Sequence, residues 1–154
     1  MEKKKPIKRD KNIQPLSRDH HHTLLLCWKI RKGFSKGVFP ERMKTYSDWF
    51  FKNHVLPHFK IEEEYLFPVL GENHEMVKKA LADHRRLERL FNDDKEITRS
   101  LSLIEEELEL HVRFEERELF NEIQKQATTE QLEVITEVHK DERFQDNTAD
   151  EFWK

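Results

Sequence analysis

A chain of 154 residues with 28 basic and 31 acidic side chains, and a net charge of −3, is the size of one domain. Three glycines leave no Gly-rich phosphate cradle, one cysteine leaves no disulfide framework or Cys-based zinc finger, and no apolar run approaches the roughly 20 residues that span a bilayer. Leu, Ile, Val and Phe make up about a quarter of the chain, enough for a core, and nine histidines call for a role.

Residues 1–14 begin MEKKKPIKRDK and read as a basic, flexible, solvated tail. Without interleaved aromatic residues the tail is not a nucleic-acid arm, and without an apolar segment behind it the tail is not a secretory signal. The first predicted helix opens at Pro15-Leu16-Ser17, with Ser17 as its cap, and closes between Gly33 and Pro40. A second helix starts at Pro40, carries Met43, Tyr46, Trp49 and Phe50, kinks at Pro57 and ends at Gly71. The third runs from about Asn73 to Asn92, and the fourth from about Ser100 to Ala127. A short fifth, from Thr129 to His139, precedes a polar tail. The apolar residues recur with a helical period throughout, and no segment alternates with a period of two. The expected fold is all-α: an antiparallel up-and-down four-helix bundle over 15–127, with 128–154 as a short C-terminal helix and tail packed on or beside it.

One internal repeat organises the chemistry. HFKIEEEYLFPVL at 58–70 and HVRFEERELFNEI at 111–123 align without a gap, 53 residues apart. Each carries a His followed four residues later by a Glu, His58 with Glu62 and His111 with Glu115. That spacing puts both side chains on one helical face. Both pairs fall on the stripe that otherwise builds the core, as do His20 on the first helix and His84 on the third. A buried carboxylate is costly unless it is paired or binds a metal. Four imidazoles and two carboxylates, with no thiolate available, suit two divalent transition ions.

The helical wheel favours His20 as the first-helix ligand, with His21 as the alternative and His22 pointing outward. Glu63 and Glu116 follow the proposed ligands directly and face about 100° away, so they are expected to orient neighbours or pair with Arg. His54 is a packed or near-site residue, while His74 and His139 read as surface groups. Trp28, Phe59, Tyr65, Leu108 and Phe114 are candidates for a solvent-limiting shell, and Cys27 for packing. HEMVK at 74–78 misses the zinc-protease string because Lys78 stands where a second His is needed.

The DH opening at 19–20, HFKIEEEYLFP, DHRRLERL at 83–90 and HVRFEERELF resemble the hemerythrin-like, or HHE cation-binding, family over about residues 15–125. The resemblance implies a non-haem di-iron site with His20, His58, His84 and His111 as terminal ligands and Glu62 and Glu115 as bridges. It also implies oxygen or nitric oxide as a small diatomic ligand, or the handling of iron. This chain departs from the oxygen carriers in two places. Their fifth His, one turn from the third-helix His, is replaced by Ala80 or Glu88, and their last carboxylate spacing points to Glu116 instead of Glu115. One ion is therefore expected to be under-coordinated, or completed by Glu88, His54 or water. The expected setting is cytoplasmic, with no nucleic acid and no membrane as partner. The rivals are a di-iron oxidoreductase or peroxidase, an iron–sulfur-centre repair protein (whose Cys-rich segment is missing) and a metal-free helical interaction module.

Overall fold

The computed structural model describes residues 8–139 and 144–154, and every regular element among them is helical. Helix α1 spans Gln14–Ser35, α2 spans 40–70, α3 spans Glu75–Phe91, α4 spans 97–126 and α5 spans Thr129–Val138. Among the described residues, no helix is long and apolar enough to cross a membrane.

Helix α1 starts earlier than the Ser17 cap predicts. The chain already turns at Asp10, whose carbonyl accepts from the amides of Ile13 and Gln14 at 3.0 Å. Pro15 then falls in the first turn, where its missing N–H costs nothing. Arg9 donates to Asn121, Gln124 and the Glu116 carbonyl on α4, and Ile13 is fully buried. Part of the expected basic tail is therefore packed from Arg9 onward, while residues 1–7 lie outside the described residues.

At Pro57 the second helix widens and continues. The Leu56 amide reaches back to the Phe51 carbonyl, one residue further than in an α-helix, just before the proline that supplies no amide. The same widening recurs before Pro68, where Phe67 reaches Glu62. A third widened turn opens at Glu115, with the Phe120 amide on its carbonyl. Glu62 and Glu115, equivalent in the sequence repeat, thus each begin a widened turn. Gly71, at φ +89°, ends α2 in the left-handed region that glycine tolerates. His74 caps α3 by accepting the Met76 amide on Nδ1 at 3.1 Å.

Two apolar clusters bracket one polar layer. The first gathers Leu26, Ile30, Phe50, Phe51, Leu87, Phe91, Leu101 and Leu108, and the second gathers Ile13, Leu16, Leu66, Phe67, Val77, Leu119 and Phe120. On α1, α3 and α4 the inward His falls between the helix's contributions to the two clusters, and on α2 His58 immediately precedes Phe59, the last contribution to the first. The C-terminal residues complete both, Leu132 and Ile135 the second and Phe152 and Trp153 the first. That last segment is tied to α1 by Lys29–Asp146 at 2.6 Å and to α2 by Arg42–Asp150 at 2.6 Å. Phe152 approaches so closely that a Cβ on Gly33 would lie 3.0 Å from its ring and 2.4 Å from Met43 Sδ.

Candidate metal centre

The helices deliver six sequence-predicted residues to one buried layer: His20 from α1, His58 and Glu62 from α2, His84 from α3, and His111 and Glu115 from α4. All are buried, and Glu62, Glu115 and His84 have no exposed surface at all. They form two groups that share both carboxylates. His20, His58, Glu62 and Glu115 make one half-site, and Glu62, His84, His111 and Glu115 make the other. Within each, one donor atom per residue lies within 4.8 Å of the rest. Glu62 turns Oε2 to His58 Nε2 at 3.4 Å and Oε1 to His84 Nε2 at 3.2 Å. Glu115 Oε1 lies 3.0 Å from His20 Nε2 and 3.3 Å from His111 Nε2.

Each imidazole is held from behind through Nδ1 by a carboxylate of another helix. Asp19 holds His58 at 2.9 Å, Asp83 holds His111 at 3.0 Å, Glu63 holds His84 at 2.8 Å and Glu116 holds His20 at 2.8 Å. The pattern is symmetric: each Asp serves the His of the next helix, while Glu63 on α2 serves α3 and Glu116 on α4 serves α1. A carboxylate on Nδ1 fixes the tautomer and leaves Nε2 as an inward donor. Glu63 and Glu116 therefore orient histidines and also pair with Arg85 and Arg9. The ring of His84 lies flat on Phe59, with centroids 3.7 Å apart, and that of His20 stacks on Phe120 at 5.3 Å.

Burial and mutual charge set the electrostatics of the layer. Burial, and then the neighbouring Glu115 charge, push the Glu62 carboxyl up to about 8. Burial also opposes ionisation of Glu115, but His111 beside it and contacts to Glu62 and His20 outweigh that and hold it well below the usual carboxylate range. Burial lowers the pKa of His111, yet Glu115 and Asp83 overcome this and raise it to about 10. Both oxygens of Glu62, Oε2 of Glu115 and the Nε2 atoms of His84 and His111 are buried without a hydrogen-bond partner. Buried polar groups are seldom left so. Two cations sharing Glu62 and Glu115 would satisfy these atoms, and an imidazole–carboxylate set without thiolate fits iron, manganese or zinc.

The remaining histidines fall elsewhere. His21 is exposed, His22 stacks on Phe144 at 4.0 Å, and His54 packs among Trp49, Phe50 and Phe144. His139 departs from its surface reading, because its Nε2 donates to Asp19 at 2.7 Å. No fifth ligand joins the layer from α3: Ala80 is a core residue and Glu88 pairs with Arg85. Of the expected shell, Phe59 and Leu108 are buried, whereas Trp28 is 48% exposed because the wheel turns it outward beside the inward Cys27. Burial pushes the Cys27 thiol up to about 12, which leaves it an inert packing group.

Residues 11–102 match the hemerythrin HHE cation binding domain. The chain belongs to this family. The all-helical structure and its two His/Glu groups agree with cation binding by a hemerythrin-like domain. Comparison with curated proteins and with solved structures returns no match. The matched residues end before His111 and Glu115, so the second half of the layer rests on its geometry. Asp19 and Asp83 are the participants that sequence reasoning passed over. Their signal was present as an Asp-His dipeptide on both α1 and α3.

Proposed function

We propose that this hemerythrin-like chain is an antiparallel up-and-down four-helix bundle holding a non-haem di-iron centre. One ion sits among His20, His58, Glu62 and Glu115, and the other among His84, His111, Glu62 and Glu115. The centre binds or senses a small diatomic ligand such as oxygen or nitric oxide, in a cytoplasmic setting. The alternation of the two apolar clusters along successive helices supports the bundle, with α5 and the last residues packed against it.

One observation carries the metal reading: two fully buried carboxylates face two pairs of inward Nε2 atoms while most of these donors lack hydrogen-bond partners. Burying such a pair of carboxylates unpaired costs several kcal/mol per ion, an order-of-magnitude figure that two cations would offset. When bound, the ions supply Lewis acidity and one-electron redox capacity. The chain's own contribution is positional. Asp19, Asp83, Glu63 and Glu116 aim the imidazoles, and Val55, Phe59, Leu108 and Val112 wall a void of about 10 Å³ beside His20, His58, His111 and Glu115. That volume is about what one water needs. Each ion would be held by two imidazoles and two shared carboxylates.

Metal analysis of the purified protein with visible absorption before and after exposure to oxygen tests this reading. Two equivalents of iron with an oxo-bridge band are expected. No bound metal, with folding unchanged by a chelator, overturns the reading in favour of a metal-free helical module.

A further inference from the structure

Helix α5 supplies none of the six inward residues, yet the residue that follows it reaches the rim of one half of the layer. Leu132 and Ile135 seat α5 in the second apolar cluster, and the Thr136 hydroxyl donates at 2.6 Å to Asn12, just before α1. The helix also packs against Glu62–Leu66, the widened turn of α2 that begins with a shared carboxylate. His139 follows directly, its amide bonded to the Ile135 carbonyl at 2.9 Å, so the docking of α5 places its ring. Its Nε2 donates at 2.7 Å to Asp19 Oδ2, the same oxygen that accepts from His58 Nδ1 at 2.9 Å. A carboxylate oxygen with two such donors is held in one orientation, because turning away would strand a buried imidazole N–H. In the other half the matching oxygen, Asp83 Oδ2, accepts from His111 Nδ1 at 3.0 Å and from Lys79 Nζ at 2.8 Å. Lys79 belongs to the same helix as Asp83 and its side chain is 53% exposed, so that brace is local to α3 and weak.

Resting on the metal reading above, we propose that His139 is a positioning residue for the His20–His58 half-site, acting on His58 through Asp19, so that the docking of α5 and the binding of that ion strengthen each other. A docked α5 keeps Asp19 turned to His58, and Asp19 on Nδ1 keeps Nε2 free of its proton and aimed inward. In return, a His58 ring fixed at Nε2 holds its Nδ1–H on Asp19, which holds the acceptor that His139 needs. Coupling of this kind is reciprocal: the factor by which the docked helix raises affinity for the ion is the factor by which the ion favours docking. The His84–His111 half-site lacks this lever, because Asp83 is braced from within α3.

Ferrous ion without oxygen is the probe, titrated into the full chain against a competing chelator, with hydrogen exchange followed in α5 and α3. His139→Ala weakens one of the two equivalents by about fivefold, the low end of ordinary coupling between sites, and leaves the other at its wild-type affinity. Loading slows exchange of the α5 amides in the wild type by a similar factor, and in His139→Ala that slowing is lost in α5 and kept in α3. His139→Gln, whose side-chain amide puts a donor near the place of Nε2, restores both effects and guards against a His139→Ala chain that folds poorly. Thr136→Val cuts a different tether of the same helix and leaves both equivalents unchanged, which separates the Asp19 link from the stability of α5 alone. Weakening of both equivalents alike in His139→Ala, or of neither, overturns the coupling while leaving the centre standing. So does wild-type α5 exchange that ignores loading while α3 slows, or a Thr136→Val chain weakened as much as His139→Ala. A wild-type chain that takes up no metal fails the metal reading, and the coupling with it.

Discussion

The two halves of the polar layer are near copies in their donors and differ in what surrounds them. His20, His58 and Asp19 match His84, His111 and Asp83, and Glu116 on His20 matches Glu63 on His84. Around the first half, Asp19 is backed by His139 from just beyond α5, and Thr23 borders a surface cleft. Around the second, Asp83 is backed by Lys79, whose side chain is 53% exposed, and Leu87 follows His84 in the apolar core. Duplicated chemistry thus sits in an unequal frame. In the proposed centre donor identity would govern ion binding, and the frame how firmly the imidazoles are aimed.

Removing the shared residues has the largest expected effect, because it erases both halves together. Glu62→Gln with Glu115→Gln keeps the volume and removes the two charges, and iron content should fall from two equivalents to none, while His22→Ala should leave both. Retention of metal by the double variant would refute the bridging assignment. Next comes the carboxylate behind each imidazole. Asp19→Asn and Asp83→Asn should each weaken one equivalent by about 10- to 100-fold in a chelator competition. Loss of both equivalents from either change means that the halves are not separable.

Opposite pH trends should separate the metal-free and loaded proteins. The Glu62 carboxyl is raised to about 8, and a raised group stabilises the fold below its unfolded value and ceases to do so as pH rises through its folded value. His111, raised to about 10, acts in the same direction over the range above its ordinary 6.5. Glu115 acts oppositely: its lowered value costs stability only as pH falls below the usual carboxylate range. The metal-free chain should therefore lose thermal stability from about pH 5 to 9, whereas metal affinity rises over that range as the ligands shed protons. The gap in Tm between loaded and metal-free protein should widen with pH, and a constant gap from pH 6 to 8.5 contradicts this account.

The smallest effect on the centre should come from the periphery. Gly33→Ala forces a Cβ against Met43 and Phe152 and should cost about 1–3 kcal/mol in denaturant unfolding. Both equivalents of metal should remain, because Gly33 belongs to the apolar end of the molecule and not to the polar layer.

Much of the centre was legible because a helix converts spacing into direction. His58 with Glu62 and His111 with Glu115 must share a face whatever else the chain does, and the apolar stripe states which face is buried. Other features needed through-space neighbours. The widened turns at Glu62 and Glu115 depend on backbone bonds that have no residue signature, since one precedes a proline and the other does not. His139 reads as a surface residue on its own short helix and becomes a partner of Asp19 only because that helix lies across α1. Phe144, Phe152 and Trp153 sit in what looks like a polar tail, and their burial is decided by a docking that local pattern does not encode.

The sequence by itself determined the helical class, the duplicated His-x-x-x-Glu segments and the six residues that meet, because helical periodicity is a local property. Tertiary structure alone decided which carboxylate stands behind each imidazole and that His139 backs Asp19. Those are contacts between helices, and packing across 20 to 120 residues of intervening chain sets them, where neighbouring residues carry no information.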